Sequence, residues 1–466
     1  MPFQASLDQI ITVLSASTQN LFNRADVATG ITTDSRNVQP GDVFLALRGE
    51  KFDGHDFVET AISQGAIAAI VDEAFPSSDL SLIVVKDTLN AYQALGHWWR
   101  KQFDIPIIAI TGSVGKTTTK EILAAVLSQY GRVLKTQANY NNEIGVPKTL
   151  LNLSADHDFA VVEMGMRAPG EIALLSQIAS PDVAVITNVG TAHIGRLGSR
   201  AAIAQAKCEL LAEMSPDSVA ILNHDNPLLI ETAAMVWQGD TITYGLTGGD
   251  LQGEMLSAPT DLAERTPPEL STNGLRLGSL NFELPLAGEH NALNFLAALG
   301  VAKALKLDWS KLTSGLEIDL PGGRSRRYDL ANDVVILDET YNAGLESMLA
   351  SLKLLAQTSG SRKIAVLGTM KELGDWSTEY HRQVGERVRN LDLDALLILA
   401  DEAEAEALAQ GAAPLRSEKF TTHADLVSRL KEMVQPGDRI LFKASRAVGL
   451  DQVVEGLRDA LSKDAK

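Results

Sequence analysis

The stretch Ile107-Ile108-Ala109-Ile110-Thr111-Gly112-Ser113-Val114-Gly115-Lys116-Thr117-Thr118-Thr119-Lys120-Glu121 decides the fold. Its apolar, mostly β-branched opening, Ile107 to Thr111, predicts a buried parallel strand. A glycine-containing turn follows, and Lys120 to Leu127 then carries a helical pattern that runs out at Gly131. Strand, glycine turn and helix together form a phosphate cradle, because curled backbone N–H groups and a helix N-terminus converge on one anion. In such a cradle Lys116 reaches the β- and γ-phosphates and the Thr117 hydroxyl can ligate Mg²⁺. The usual spacing asks for glycine at position 110, which here is Ile110, so the motif is a shorter Gly-x-x-Gly-Lys-Thr-Thr form. It marks a nucleoside triphosphate site.

Working outward, 466 residues exceed one core and imply two to four domains. A hydrophobic content of 45% with 21% charged residues fits a soluble globular protein. No apolar run is long enough to span a bilayer, and Met1 to Ser6 lacks the basic and apolar regions of a signal peptide. Cys208 is the only cysteine, so no intrachain disulfide can form, and a cytoplasmic location is expected. The net charge of −18 opposes broad nucleic-acid binding. An anionic substrate must therefore be held by loop amides, helix termini and a few arginines.

Three units are expected. Residues 1–86 read as a small α/β unit with strands around Val43 to Leu47 and Ala66 to Val71. Taken alone, the Asp34-Ser35-Arg36 turn reads as a capped turn with a solvated arginine, and His55 as a surface histidine. Residues 87–319 alternate strands and helices at βαβ spacing, which predicts a mostly parallel sheet. Glu163 and His193 each follow a strand of this unit (Phe159 to Val162 and Asp182 to Thr187), at the edge where ligands sit in such sheets. A carboxylate and an imidazole beside the cradle suggest Mg²⁺ ligation. Lys207 falls on a helix from Ala201 to Met214 and by itself reads as solvated. Residues 241–286, with short strands around a Pro/Thr/Gly-rich stretch, read as an antiparallel flap or insertion. A glycine-rich basic linker, Pro321 to Arg327, then opens a third alternating unit, residues 320–466.

The motifs resemble the Mur ligase family, the ATP-dependent amide-forming enzymes of bacterial peptidoglycan synthesis. The likeness covers the whole chain and implies a three-domain α/β architecture. Its central domain would carry a P-loop ATPase-like sheet, and its C-terminal domain would be Rossmann-like. Thr111 to Thr118 looks like the family's short phosphate loop, which accounts for Ile110. Glu163, the Asn188-to-His193 segment, Lys207, Gly288-Glu289-His290-Asn291 and Arg324 fall in the family's order. The segment Asn139-Tyr140-Asn141-Asn142-Glu143-Ile144-Gly145-Val146-Pro147 is most similar to the member that joins D-alanyl-D-alanine to UDP-MurNAc-tripeptide. The start of the chain resembles that member's UDP-substrate domain, and Leu367 to Gly374 its C-terminal domain.

Several roles are implied by this resemblance alone. Gly112, Ser113, Val114, Gly115, Lys116, Thr117 and Thr118 would bind ATP, with Asn291 at the adenine and Arg324 at the γ-phosphate on domain closure. Asp338, Tyr341 and Asn342 would approach the nucleoside from the third domain. Thr117 and Glu163 would hold one Mg²⁺, while His193 and a carbamylated Lys207 would bear on a second. Lys116, Lys207, His193 and Arg324 would be the catalytic set. Ser35, Arg36, Asp53, His55, Asn139 and Asn142 would bind the UDP-substrate. The expected partners are UDP-MurNAc-tripeptide and D-alanyl-D-alanine, and a monomer is expected. One departure stands out: the family continues Asn-Ala-Asn-Pro where this chain reads Asn342-Ala343-Gly344-Leu345. The rival readings are another amide ligase of the same superfamily, a nucleotide-dependent switch protein, and a catalytically dead interaction protein.

Overall fold

The computed structural model describes residues 3–21, 23–49, 51–76, 78–256 and 274–463. At its centre lies a seven-stranded, wholly parallel sheet. From edge to edge its strands are Leu251–Gln252, Asp240–Gly245, Val219–Asn223, Val183–Ile186, Ile107–Thr111, Phe159–Glu163 and Val133–Lys135. All five residues of Ile107–Thr111 are buried, as expected of a strand covered on both faces. Its two neighbours are Val183–Ile186 and Phe159–Glu163, and the chain reverses its direction of travel across the sheet here. The crevice beyond the carboxyl ends of these three strands is the ligand position in an open α/β sheet.

The helix after the phosphate loop runs Lys116–Leu127, four residues earlier than its apolar pattern predicts. Thr117, Thr118 and Thr119 therefore form its first turn, and its amino end is the loop itself. No side chain caps it: Gly115 occupies the cap position at φ +85. Helix Glu289–Ala304, with an almost wholly buried middle, packs along it.

The amino-terminal unit is a five-stranded mixed sheet in the order Ser17–Gln19, Leu82–Val85, Ala68–Asp72, Asp42–Leu45, Gly30–Thr32. Helix Thr88–Arg100 joins it to the central unit and buries Tyr92, Leu95 and Trp99; the Trp99 ring lies 4.6 Å from that of Phe3. The carboxyl-terminal unit is a six-stranded sheet, parallel except for the edge strand Arg326–Leu330.

Two expectations are corrected here. Thr241 to Tyr244 is not part of a flap: Asp240–Gly245 pairs in parallel with Val219–Asn223 in the central sheet. The antiparallel flap is confined to Glu254–Leu256, Gly274–Leu277 and Leu280–Glu283. The Pro/Thr/Gly-rich stretch read between its strands lies outside the described residues. The basic linker is also shorter than its composition suggests, because Arg326 and Arg327 already pair with Asp338 and Leu337. Helix Glu402–Ala412, Ala- and Glu-rich, has no counterpart in the sequence reading.

Candidate active site

The phosphate loop is shaped by groups on the neighbouring strand end. Ser113 N donates to Asn188 O (3.1 Å) and Val114 N to Asn188 Oδ1 (3.0 Å), while Thr187 Oγ1 donates to Val114 O (2.7 Å). Gly190 N donates to Ser113 Oγ at 2.8 Å. Gly112 is required by this closeness: a Cβ there would sit 1.9 Å from Thr187 Oγ1. Lys116 folds back so that Nζ donates to Gly112 O at 2.8 Å. Burial pushes its ammonium below the ordinary lysine range; Glu163 opposes that shift and Arg324 adds to it.

Beside the loop, Thr117 Oγ1 donates to Glu163 Oε2 at 3.0 Å, and Asn141 Nδ2 donates to Glu163 Oε1 at 2.8 Å. Lys120, fully buried, lies 3.8 Å from Glu163 Oε2 and donates to Thr136 O at 2.8 Å. A chain of amides locks the far side: Thr119 Oγ1 donates to Asn294 Oδ1, Asn294 Nδ2 to Asn291 Oδ1, and Asn291 Nδ2 to Ala287 O.

These groups open onto a cavity of about 540 Å³ between the central and carboxyl-terminal units, a size typical of ligand sites. Ser113 to Thr118, Asn139, Glu163 and Asn291 line it from the central unit; Arg324, Tyr341 and Asn342 line it from the other. The Arg324 guanidinium stacks 3.8 Å over the Tyr341 ring, and its Nε is buried without a hydrogen-bond partner among the described residues. That is an unsatisfied donor group at the cavity wall. Lys443 Nζ donates to Asn342 O at 3.1 Å and lies 3.7 Å from Glu339 Oε2, which fixes the loop after the strand.

Three models of Mur ligase units match successive stretches of the chain. They are the Mur ligase family catalytic domain (27–94), the Mur ligase middle domain (110–302) and the glutamate ligase domain (323–446). A UDP-N-acetylmuramoyl-tripeptide--D-alanyl-D-alanine ligase from Synechocystis sp. is 54% identical over 461 residues, 98% of each chain. This chain belongs to the Mur ligase family. The Escherichia coli ligase of the same name is 35% identical over 97% of this Mur ligase and 98% of its own length. Among solved structures, a MurF from Acinetobacter baumannii superposes with a TM-score of 0.88 at 33% identity, covering 98% of this chain and 99% of its own. A MurF ligase from Thermotoga maritima in complex with ADP gives 0.82 at 32% identity, covering 93% and 98%.

Within this Mur ligase, not every residue singled out in the sequence reaches the cavity. Gly112 shapes the loop without lining the cavity. Asp338 is buried on the other side of its strand end, where Oδ1 accepts from Thr340 N (3.1 Å) and Oγ1 (2.6 Å); burial raises its pKa. Glu339 lines the cavity instead, because successive strand residues face opposite ways. Asn142 is spent on its own turn, its Oδ1 accepting from Gly145 N at 2.9 Å, and Asn141 next to it is the one that meets Glu163. His193 and Lys207 stand behind the lining. Burial and the charge on Lys116 depress both, Lys207 well below the ordinary lysine range.

The amino-terminal candidates lie apart from this cavity. Arg36 is largely exposed and pairs with Asp34 at 2.8 Å beside Ser35, on a 3₁₀ turn that Asp34 caps. His55 is buried: Nδ1 lies 2.6 Å from Asp53 Oδ1, and Nε2 accepts from Asp72 N at 3.1 Å. Arg48 completes the cluster by pairing with both Asp53 and Asp72. Sequence reasoning missed Asn141, Glu339 and Lys443 as cavity residues. Asn141 was legible within the quoted asparagine-rich segment, but Glu339 and Lys443 become neighbours only when their two strands pair.

Proposed function

We propose that this Mur ligase joins D-alanyl-D-alanine to UDP-MurNAc-tripeptide at the expense of ATP, giving the UDP-MurNAc-pentapeptide used in peptidoglycan synthesis. The observation that carries the reading is the cavity between two units, with a phosphate loop and Glu163 on one wall and Arg324 on the other. Near-full-length similarity to ligases of this specificity supports the same reading.

A carboxylate is a poor electrophile at neutral pH, so it must be activated before an amine can attack it. In the first step a peptide carboxylate oxygen attacks the γ-phosphorus, the bond to the β–γ bridging oxygen breaks, and ADP leaves an acyl phosphate. In the second the dipeptide amine attacks the acyl carbon, the carbon–oxygen bond breaks, and inorganic phosphate departs with loss of the amine proton. The protein's work is positioning and charge neutralisation. Loop N–H groups and the uncapped helix end hold the triphosphate, Lys116 swings from Gly112 O to its oxygens, and Arg324 meets the γ-phosphate.

The donors at the loop fit one Mg²⁺. Thr117 Oγ1 and Glu163 Oε2 are hard oxygens 3.0 Å apart at the cavity, while Asn141 already occupies the other Glu163 oxygen. No group of three or more His, Cys, Asp and Glu is gathered among the described residues, which suits an ion completed by phosphate and water. Such an ion would neutralise charge on the β- and γ-phosphates. An unmodified Lys207 does not fit a second cation, since its amine offers no anionic oxygen and the charge on Lys116 already makes the position unfavourable for a further positive charge. Carbamylation, in which the neutral amine adds to CO₂ with loss of a proton, would make it an oxygen-donor anion beside His193. The buried position and depressed pKa of Lys207 favour the neutral amine that this reaction needs. Asn139 is the candidate for the tripeptide arm, and the Asp34-Ser35-Arg36 turn for the UDP end. No helix among the described residues is long and apolar enough to cross a membrane.

The test is incubation with ATP, Mg²⁺, UDP-MurNAc-tripeptide and a panel of amines, following phosphate release and product mass. Pentapeptide formed only with D-alanyl-D-alanine establishes the reading. Phosphate release with another amine moves the enzyme to a sibling specificity, and no release with any amine sinks it.

A further inference from the structure

The central and carboxyl-terminal units also meet closely outside the cavity lining. Short helix Ile194–Leu197 begins at His193, and the opposing loop centres on Glu372. Glu372 bridges: Oε2 lies 2.7 Å from His193 Nδ1, and Oε1 lies 3.3 Å from Arg196 Nη2. Its carbonyl accepts from Gly195 N at 3.3 Å. The approach is a close ion pair rather than an aligned hydrogen bond: His193 Nδ1 is buried and has no hydrogen-bond partner among the described residues.

Two features show that this contact is imposed rather than incidental. His193 and Glu372 both hold left-handed backbone, at φ 66 and 64, where residues with a Cβ are strained. Such strain persists only when the surroundings over-determine it, and it concentrates at working sites. The loops also approach too closely for side chains: a Cβ on Gly195 would sit 2.6 Å from Gly374 N. The Glu372 side chain is 42% exposed and that of His193 25% exposed, so an ion pair here adds little to stability.

We propose that Glu372 is a positioning residue, reaching from the carboxyl-terminal unit to aim His193 into the reaction centre only when the two units are closed. The inference rests on the reading of His193 as a residue of the reaction. At 2.7 Å the carboxylate needs only a small turn of the ring to accept from Nδ1–H, which selects one tautomer and leaves the Nε2 lone pair for the site, the usual role of an acid behind a functional histidine. Arg196 holds the second oxygen and stops the carboxylate from rotating. Opening the units withdraws Glu372, so ring orientation and closure become one event.

The experiment compares Glu372→Gln, Glu372→Asp and His193→Ala in the full chain. It measures kcat, the KM for ATP, the Mg²⁺ dependence of activity, thermal stability and the ¹⁵N side-chain NMR pattern of His193. Glu372→Gln is expected to lower kcat about 10–100-fold, as loss of such a partner does elsewhere, with little change in the KM for ATP or in melting temperature. The Nδ1–H tautomer of the parent should give way to a mixture. Should the glutamine variant fail to fold, Glu372→Asp, one methylene too short to bridge both partners, carries the same readouts. A normal kcat in a folded Glu372 variant whose His193→Ala counterpart is impaired overturns the proposal, as does an unchanged tautomer. A normal kcat in His193→Ala instead overturns the reading of His193 beneath it.

Discussion

The phosphate loop and the Asp53–His55 loop are both short polar turns rich in glycine and charge, yet they are built for opposite ends. In the first, helix Lys116–Leu127 has no side-chain cap, Lys116 returns to a carbonyl of its own loop, and the lining opens on a cavity shared with Arg324. In the second, polar groups answer one another: Asp53 holds His55, His55 holds Asp72 N, and Arg48 closes the ring. A loop whose groups satisfy each other braces the fold. One that leaves an uncapped helix end beside a buried cation has reserved those groups for a ligand.

That contrast can be broken experimentally. The largest effect belongs to Lys116→Ala, which should cut kcat by about 10²–10³-fold while the melting temperature holds, because it removes charge from the transition state. Retained turnover would show that the loop is not the phosphate site. Gly112→Ala should be costly in a different way. The added methyl meets Thr187 Oγ1, and chemical denaturation should show about 1–3 kcal/mol of lost stability together with weakened ATP binding. For His55→Ala the expectation is about 1–3 kcal/mol of lost stability, since Asp72 N and Asp53 lose their partner. A variant with parental stability but a raised KM for the UDP-substrate would erase the contrast, placing His55 with the binding groups. Smallest of all is Lys353→Ala. Lys353 Nζ lies 2.6 Å from Glu289 Oε2 across the two units, and because both side chains are half exposed its loss should cost less than about 1 kcal/mol. That small cost should vanish at high salt.

Within the central unit, local sequence was a good guide. Ile107–Thr111 has the bounds its pattern predicts, and Phe159–Glu163 and Val183–Ile186 fall within a residue of theirs. Buried parallel strands are continuous apolar runs, and a run needs no partner to be recognised. Sheet membership was less legible. Thr241 to Tyr244 is a half-exposed strand of mixed composition, and only its pairing with Val219–Asn223 separates it from the flap beside it. Likewise, Arg326 and Arg327 carry the composition of a linker but the geometry of an edge strand.

The candidate site divides along the same line. Chain order alone placed Gly112 to Thr118 at a strand end and put Glu163 at another, since a strand–turn–helix sets backbone N–H groups by local geometry. The departure at Gly344 is also local: the residue caps helix Leu345–Gln357 and leaves open space where a Cβ would stand. What the sequence could not state is which side chains face one cavity. Asp338 and Glu339 are adjacent in sequence and point apart. Asn141 rather than Asn142 meets Glu163, and Glu372 reaches His193 from 179 residues away in sequence (372 − 193). Sequence by itself determined most of the elements and the strand–turn–helix that carries Gly112 to Thr118, because those follow from backbone propensity and spacing. Tertiary structure alone decided which polar groups are partnered and which await a ligand, because that depends on strand register and on how closely the units meet.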